Sequence, residues 1–363
     1  MKLVIFGLTV SSSWGNGHAT IWRGLCRALA QRGHKIVFFE RDVPYYAEHR
    51  DLTDPPGVEL VLYQDWKSAL LLGRKHMSDA DAGIVTSFCP DGIAASELVL
   101  SSRLDLHVFY DLDAPVTLEF LDSGQPLSYV GERGFRDFDL VLSYTGGKAL
   151  GALRERLGAK RVAPLYGSVD PAVHQPSPPV PEYAATLSYL GTYAEDRQER
   201  LKSLFIEPAR SLPQHRFVIG GSMYPQDFPW TENIFFRRHV PPPDHPAFYC
   251  SSALTLNVTR KAMADMGYCP SGRLFEAAAC GTPILSDHWE GLDSFFTPGA
   301  EILIAKTTKD AVESIMMPRE ELSRIARAAR ERTLEEHTAD RRAVQLEQLF
   351  HRALQPGLNG GIL

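Results

Sequence analysis

Two α/β domains, each a parallel sheet covered by helices on both faces, are what this sequence predicts. Three observations lead there. Its strand candidates are short, nearly continuous apolar runs, as strands become when helices cover both faces of a sheet. They alternate with amphipathic stretches of helical period. And the alternation stops at one proline-rich break, then starts again.

The opening run Leu3–Phe6 is wholly apolar and reads as a strand. A glycine-containing loop, GLTVSSSWGNGH, leads into a helix near Thr20–Arg32, and Gly33 suits the helix end. Lys35–Phe39 is the next strand, so the segment is a βαβ unit with parallel pairing. Further strands are expected at Glu59–Tyr63, Ala82–Thr86, Leu106–Tyr110, Leu140–Ser143 and Arg161–Ala163.

Val169–Tyr183, VDPAVHQPSPPVPEY, holds five prolines in fifteen residues. Such a stretch is stiff and cannot enter a sheet interior. It sets a linker at 171–183 between a domain over 1–170 and one over 184–318. Beyond it come strands at Thr186–Leu190, Arg216–Gly220, Ile234–Arg238, Leu254–Val258, Pro283–Ser286 and Glu301–Ile304. Helices are expected near Arg197–Leu212 and Gly272–Cys280. The charged, periodic tail over 319–355 reads as helices packing back across the domains, and the closing GLNGGIL as disordered. The whole matches two Rossmann-like domains, whose ligands bind beyond the carboxyl ends of the strands. That places the expected site in an interdomain cleft.

Composition narrows the function. The 363 residues are 44% hydrophobic and 23% charged, which suffices for two cores. A net charge of −6 argues against a nucleic-acid partner, which needs a basic surface. No apolar stretch approaches the roughly 20 residues of a membrane span, so a soluble, cytoplasmic protein is expected. The five cysteines are scattered without CxxC spacing, and neither a disulfide framework nor a zinc site is expected.

The segment richest in chemistry is Arg273–Asp287, RLFEAAACGTPILSD. It reads as a helix closing at Gly281, then a buried strand. Glu276 is expected in the first helical turn, where the dipole favours a carboxylate. With HWEGLDSFFTPGAEIL after it, the stretch resembles the donor-binding signature of retaining GT-B glycosyltransferases, and within them the spore-maturation, CgeB-like group. LNVTR (Leu256–Arg260), Gly281-Thr282-Pro283, Gly291-Leu292 and His337-Thr338 share that likeness. So do YDLDAPVTL (Tyr110–Leu118), SYTGG (Ser143–Gly147) and PLYGSVDP (Pro164–Pro171) in the first half.

The resemblance implies a GT-B fold: α/β, two Rossmann-like domains facing a cleft, with a C-terminal helical tail. It implies a hexosyltransferase-type enzyme passing sugar from a nucleotide-sugar donor to an acceptor hydroxyl, small molecule or glycan, with retention. Glu276 would take the ribose hydroxyls, since an ionised carboxylate only accepts. Many retaining relatives carry a second Glu eight residues earlier. Here that position is Tyr268, so the usual contact to the donor sugar must come from elsewhere.

For the diphosphate, positive groups and free N–H donors are needed. Arg260, Arg273 and Arg197 are candidates, with the loop Gly191-Thr192-Tyr193, and Asn257 completes the donor set. In the first half, Gly15, Gly17, Gly146 and Gly147 mark loops where backbone comes close to a ligand. Three residues are candidates for catalysis. His18 is either a base or polar contact, or a structural histidine at a helix start. Asp111 and Asp113, at a strand end, are acceptor-side contacts or a turn cap. Their D-x-D spacing resembles a metal motif of another glycosyltransferase fold, but the two-domain layout argues against that use, and no metal or cofactor is expected. His245, in PPPDHPAFY, reads as part of a proline-rich turn near the donor base. Two alternatives stand beside transfer: a sugar-nucleotide epimerase on the same scaffold, and an inactive binding or assembly protein.

Overall fold

The computed structural model describes residues 1–355 and 361–362. The chain forms two compact units, one of Met1–Gly167 with Ala339–Leu363, the other of Ser168–Thr338.

In the first unit the strands are β1 (Lys2–Gly7), β2 (Lys35–Arg41), β3 (Val58–Tyr63), β4 (Ala82–Thr86), β5 (Leu106–Asp111), β6 (Leu140–Ser143) and β7 (Arg161–Pro164). All pair in parallel, in the order β7-β6-β5-β4-β1-β2-β3. The interior of β1 is fully buried from Leu3 to Phe6, and Phe6 stacks on Phe39 of β2 with ring centroids 4.6 Å apart. The strand order reverses between β1 and β4. Loops leaving the carboxyl ends there diverge and leave a crevice, the usual ligand position in an open α/β sheet.

In the second unit the strands are β8 (Ala185–Leu190), β9 (Phe217–Gly221), β10 (Ile234–Arg238), β11 (Ser252–Asn257), β12 (Ile284–Ser286) and β13 (Leu303–Ile304). They too are parallel, ordered β10-β9-β8-β11-β12-β13, so the reversal falls between β8 and β11. Their core gathers Leu187, Tyr189, Phe205, Phe217, Leu254 and Leu256.

Three expectations from sequence need correction. The helix read over Arg197–Leu212 is a short 3-10 turn, an α turn, a π-helical stretch at Lys202–Ile206 and an α turn at Glu207–Ser211. Pro208 is the cause: it has no N–H for the carbonyl four residues back, and a wider turn absorbs the gap. The helix carrying Glu276 runs Gly272–Ala279, so Glu276 lies in its second turn and the helix-start dipole does not account for it. Part of the closing segment is ordered: Gly361–Ile362, as β14, pairs in parallel with Arg161 and Val162 of β7. A sheet edge offers unpaired backbone groups that a short extended segment can use. The rest of that segment, 357–360 and 363, lies outside the described residues.

The proline-rich segment contains a 3-10 turn at Pro181–Tyr183 and joins no sheet. Its N–H groups are held inside the second unit, Ser177 N–H by Cys250 Sγ at 3.3 Å and Val180 N–H by Ser251 Oγ at 2.7 Å. The tail forms two helices. Arg319–Glu336 belongs to the second unit and Ala339–Leu354 to the first. The latter packs on the helix His18–Gln31, with Glu347 taking a bidentate bond from Arg32 at 2.6 and 2.8 Å. Among the described residues no helix is long and apolar enough to cross a membrane.

Candidate functional site

Each unit places a polar cluster at its strand-order reversal. In the first, the loop after β1 is shaped by Glu40 at the end of β2. Its buried carboxylate accepts the N–H groups of Val10 at 2.7 Å and Ser11 at 3.0 Å. Gly15 turns the loop at φ +67°, a conformation few side chains tolerate. Gly17 then precedes the helix, and Asn16 Oδ1 accepts from Ala19 N–H at 3.2 Å, supplying the helix-start acceptor that Gly17 lacks.

His18 opens that helix and is buried. Its Nε2 lies 2.8 Å from Asp113 Oδ2, which also accepts from Ser87 Oγ at 2.9 Å. These residues leave from β1, β4 and β5, adjacent strands at the reversal. An ionised carboxylate can only accept, so Nε2 carries the proton in this pair and Nδ1 presents its lone pair. That Nδ1 is buried without a hydrogen-bond partner. Phe88, edge-on to the His18 ring, sits at φ +56°, a strained value for an aromatic residue.

Asp111 has a different place. Its Oδ1 accepts the N–H of Asp113 at 3.0 Å, the turn cap weighed from sequence. Burial, with the like charge of Asp113 beside it, pushes its carboxyl up to about 7. At Gly146-Gly147, after β6, Gly147 takes φ +57° and starts the helix Lys148–Leu157.

In the second unit, the helix Gly272–Ala279 brings Arg273 and Glu276, three residues apart, onto one face at the β8–β11 reversal. Arg273 Nη1 donates to Asn257 Oδ1 at 2.8 Å, and its guanidinium lies 5.3 Å from the Tyr189 ring centre. Asn257 is buried and donates onward to Ser286 Oγ at 3.0 Å, so it orients Arg273. Glu276 accepts from Tyr249 Oη at 3.3 Å and lies 4.0 Å from His245 Nδ1.

The loop after β8 is pinned to the end of β9. Gly191 N–H donates to Gly220 O at 2.8 Å and Tyr193 N–H to Ser222 O at 2.9 Å, which leaves Thr192 as the N–H of the three not used by these bonds. Gly221, at φ +154°, has no room for a side chain: a Cβ there would lie 2.0 Å from Gly191 O. Arg197 folds under this loop and donates to Thr192 O at 3.2 Å. Arg260 stands apart, half-exposed and paired with Asp196 at 3.2 Å. Tyr268 takes φ +46°, and its ring fills the space beside Gly291 that a Cβ would need.

Three partners were not singled out from sequence: Glu40, Ser87 and Tyr249. Each is distant in the chain from the residue it serves, and only the sheet order brings them near. None of the five cysteines forms a disulfide among the described residues.

Residues 197–348 match the family model described as glycosyl transferase-like. No curated protein matches the sequence. Among solved structures, HepE of Anabaena in complex with UDP-glucose is 12% identical, with a TM-score of 0.68 over 97% of this chain and 100% of that one. Sucrose-phosphate synthase from Thermosynechococcus elongatus is 14% identical, with a TM-score of 0.67 over 97% and 98%. The catalytic domain of starch synthase IV from Arabidopsis thaliana, bound to ADP and acarbose, is 13% identical, with a TM-score of 0.66 over 97% and 99%. The two parallel sheets are thus those of a GT-B fold, and residues 197–348 within it form a glycosyl transferase-like domain.

Proposed function

We propose that the protein transfers a hexosyl group from a nucleotide-sugar donor held by the second unit to an acceptor hydroxyl held by the first. One observation carries the reading. At the β8–β11 reversal, inside the glycosyl transferase-like domain, Arg273 and Glu276 share one helix face. Glu276 is an acceptor for the ribose hydroxyls and Arg273 a donor for the diphosphate, the two polar ends such a ligand presents. Structures of similar fold hold UDP-glucose or ADP. The finer likeness to the CgeB-like group rests on the segments around RLFEAAACGTP and LNVTR.

The leaving diphosphate is stabilised by guanidinium and backbone N–H groups, without a metal ion or other cofactor. Stereochemistry has two readings. The resemblance favours retention, in which the acceptor attacks on the face the diphosphate leaves. The His18–Asp113 pair favours inversion, since attack from the opposite face needs a separate base for the hydroxyl proton. The anomeric configuration of the product, read by NMR, separates them. The primary test is calorimetric titration with UDP-, ADP- and GDP-hexoses. Micromolar binding of one of them supports the reading, and binding of none removes it.

A further inference from the structure

The second unit contains a cluster that the donor reading does not use in full. His174, in the proline-rich segment, and His245, at the start of the helix His245–Cys250, come together with Glu276. One ligand atom from each lies within 4.8 Å of the other two. The two imidazole centres are 6.0 Å apart.

The polar atoms here are left without partners in a way that matters. Both ring nitrogens of His174, 94% buried by its 6% exposure, have no hydrogen bond, nor has His245 Nδ1. Buried polar atoms are normally satisfied, and an unsatisfied group asks for a ligand. His245 Nε2 sits 3.1 Å from Val240 O, a carbonyl, so Nε2 carries the proton and Nδ1 presents a lone pair toward Glu276. An imidazole oriented by a backbone carbonyl through its other nitrogen is the arrangement of a metal-ligating histidine.

We propose that His174, His245 and Glu276 form a binding site for a divalent transition ion, Zn²⁺ foremost, and that the ion excludes the donor. Two imidazoles and one carboxylate make a set that zinc takes with an open fourth position, whereas Mg²⁺ prefers oxygen ligands and its own water. The site is an inhibitory one, separate from the transfer step. Its competition with the donor rests on Glu276 receiving the ribose; the binding of the ion does not.

The experiment uses the full chain, stripped of metal by chelation and titrated calorimetrically with Zn²⁺ and with Mg²⁺. Stoichiometric Zn²⁺ binding, weakened at least about tenfold in both His174→Gln and His245→Ala, supports the site. Unchanged Zn²⁺ affinity in both variants overturns it, since the ion then binds elsewhere. Co²⁺ added to the unmutated protein gives a reading that does not depend on how the variants fold. Visible d–d bands of low-coordinate Co²⁺ that Zn²⁺ bleaches support the site, and an aquo-ion spectrum overturns it.

UDP-hexose binding is then measured with and without Zn²⁺. Weaker donor binding with Zn²⁺ in the unmutated protein, but not in His174→Gln, supports competition. Zn²⁺ binding with donor affinity untouched keeps the metal site, overturns competition and moves the donor away from Glu276. Donor binding that depends on Glu276 without any Zn²⁺ binding leaves the donor reading standing and overturns the metal site.

Discussion

His18 and Asp113 lie 95 positions apart in the sequence and 2.8 Å apart in the fold, ring nitrogen to carboxylate. The pairing holds one imidazole tautomer and leaves Nδ1 as the free base. If His18 accepts the acceptor proton, His18→Ala should lower kcat by roughly 10² to 10⁴-fold with donor affinity unchanged. Asp113→Asn should lower it too, since an amide can donate to Nε2 and reverse the tautomer. Full turnover in both variants would remove the pair from catalysis.

Glu276→Gln should weaken nucleotide-sugar binding by roughly 1–3 kcal/mol through loss of charge-assisted hydrogen bonds from the ribose. Titrating both proteins with the same donor is the check. Equal affinity would take Glu276 out of the donor site.

Asp111 ties stability to pH. Its carboxyl rises from an ordinary 3.8 to about 7 on folding, so between those values the folded chain binds a proton that the unfolded chain releases. Stability is therefore full below about pH 4 for this group and falls as pH rises through 7, by roughly 4 kcal/mol over the whole span. Asp287, pushed up to about 6 chiefly by burial, acts in the same direction. Urea unfolding of Asp111→Asn across pH 5 to 8 should show a shallower decline than the parent. Identical slopes would refute the assignment.

Gly221→Ala should cost about 3 kcal/mol or more, because the added methyl meets Gly191 O and the backbone cannot retreat from a positive φ. The same change should displace the Gly191–Tyr193 loop and weaken donor binding. A loss below about 1 kcal/mol in urea would mean the loop moves freely.

Turnover measured after exhaustive EDTA treatment should not fall below that of untreated enzyme, because the leaving charge falls to Arg273 and backbone N–H groups. Loss of turnover restored by Mg²⁺ or Mn²⁺ would point back to Asp111 and Asp113.

The strands were legible because doubly covered parallel strands must be apolar along their length, as in Leu3–Phe6. Ala82–Thr86, Leu140–Ser143 and Ile234–Arg238 were read residue for residue. Less legible was anything set by sheet order. Asp111 and Asp113 read as a pair because they are two apart, yet one caps a turn and the other meets His18. Pro208 was visible, but a helical period survives a wide turn, so the π stretch was not. His174 was hidden by its setting, since a histidine among prolines looks like linker until the fold buries it.

The first unit is discontinuous in sequence, closed by Ala339–Leu354 on the helix His18–Gln31. A ribosome makes that closing helix only after the whole second unit. The nascent second unit, Ser168–Thr338, is complete and free to fold while the helix His18–Gln31 still lacks the helix that packs on it. Synthesis thus leaves the amino-terminal half waiting longest for its final layer. During that interval it is the part of the nascent protein that most needs a chaperone.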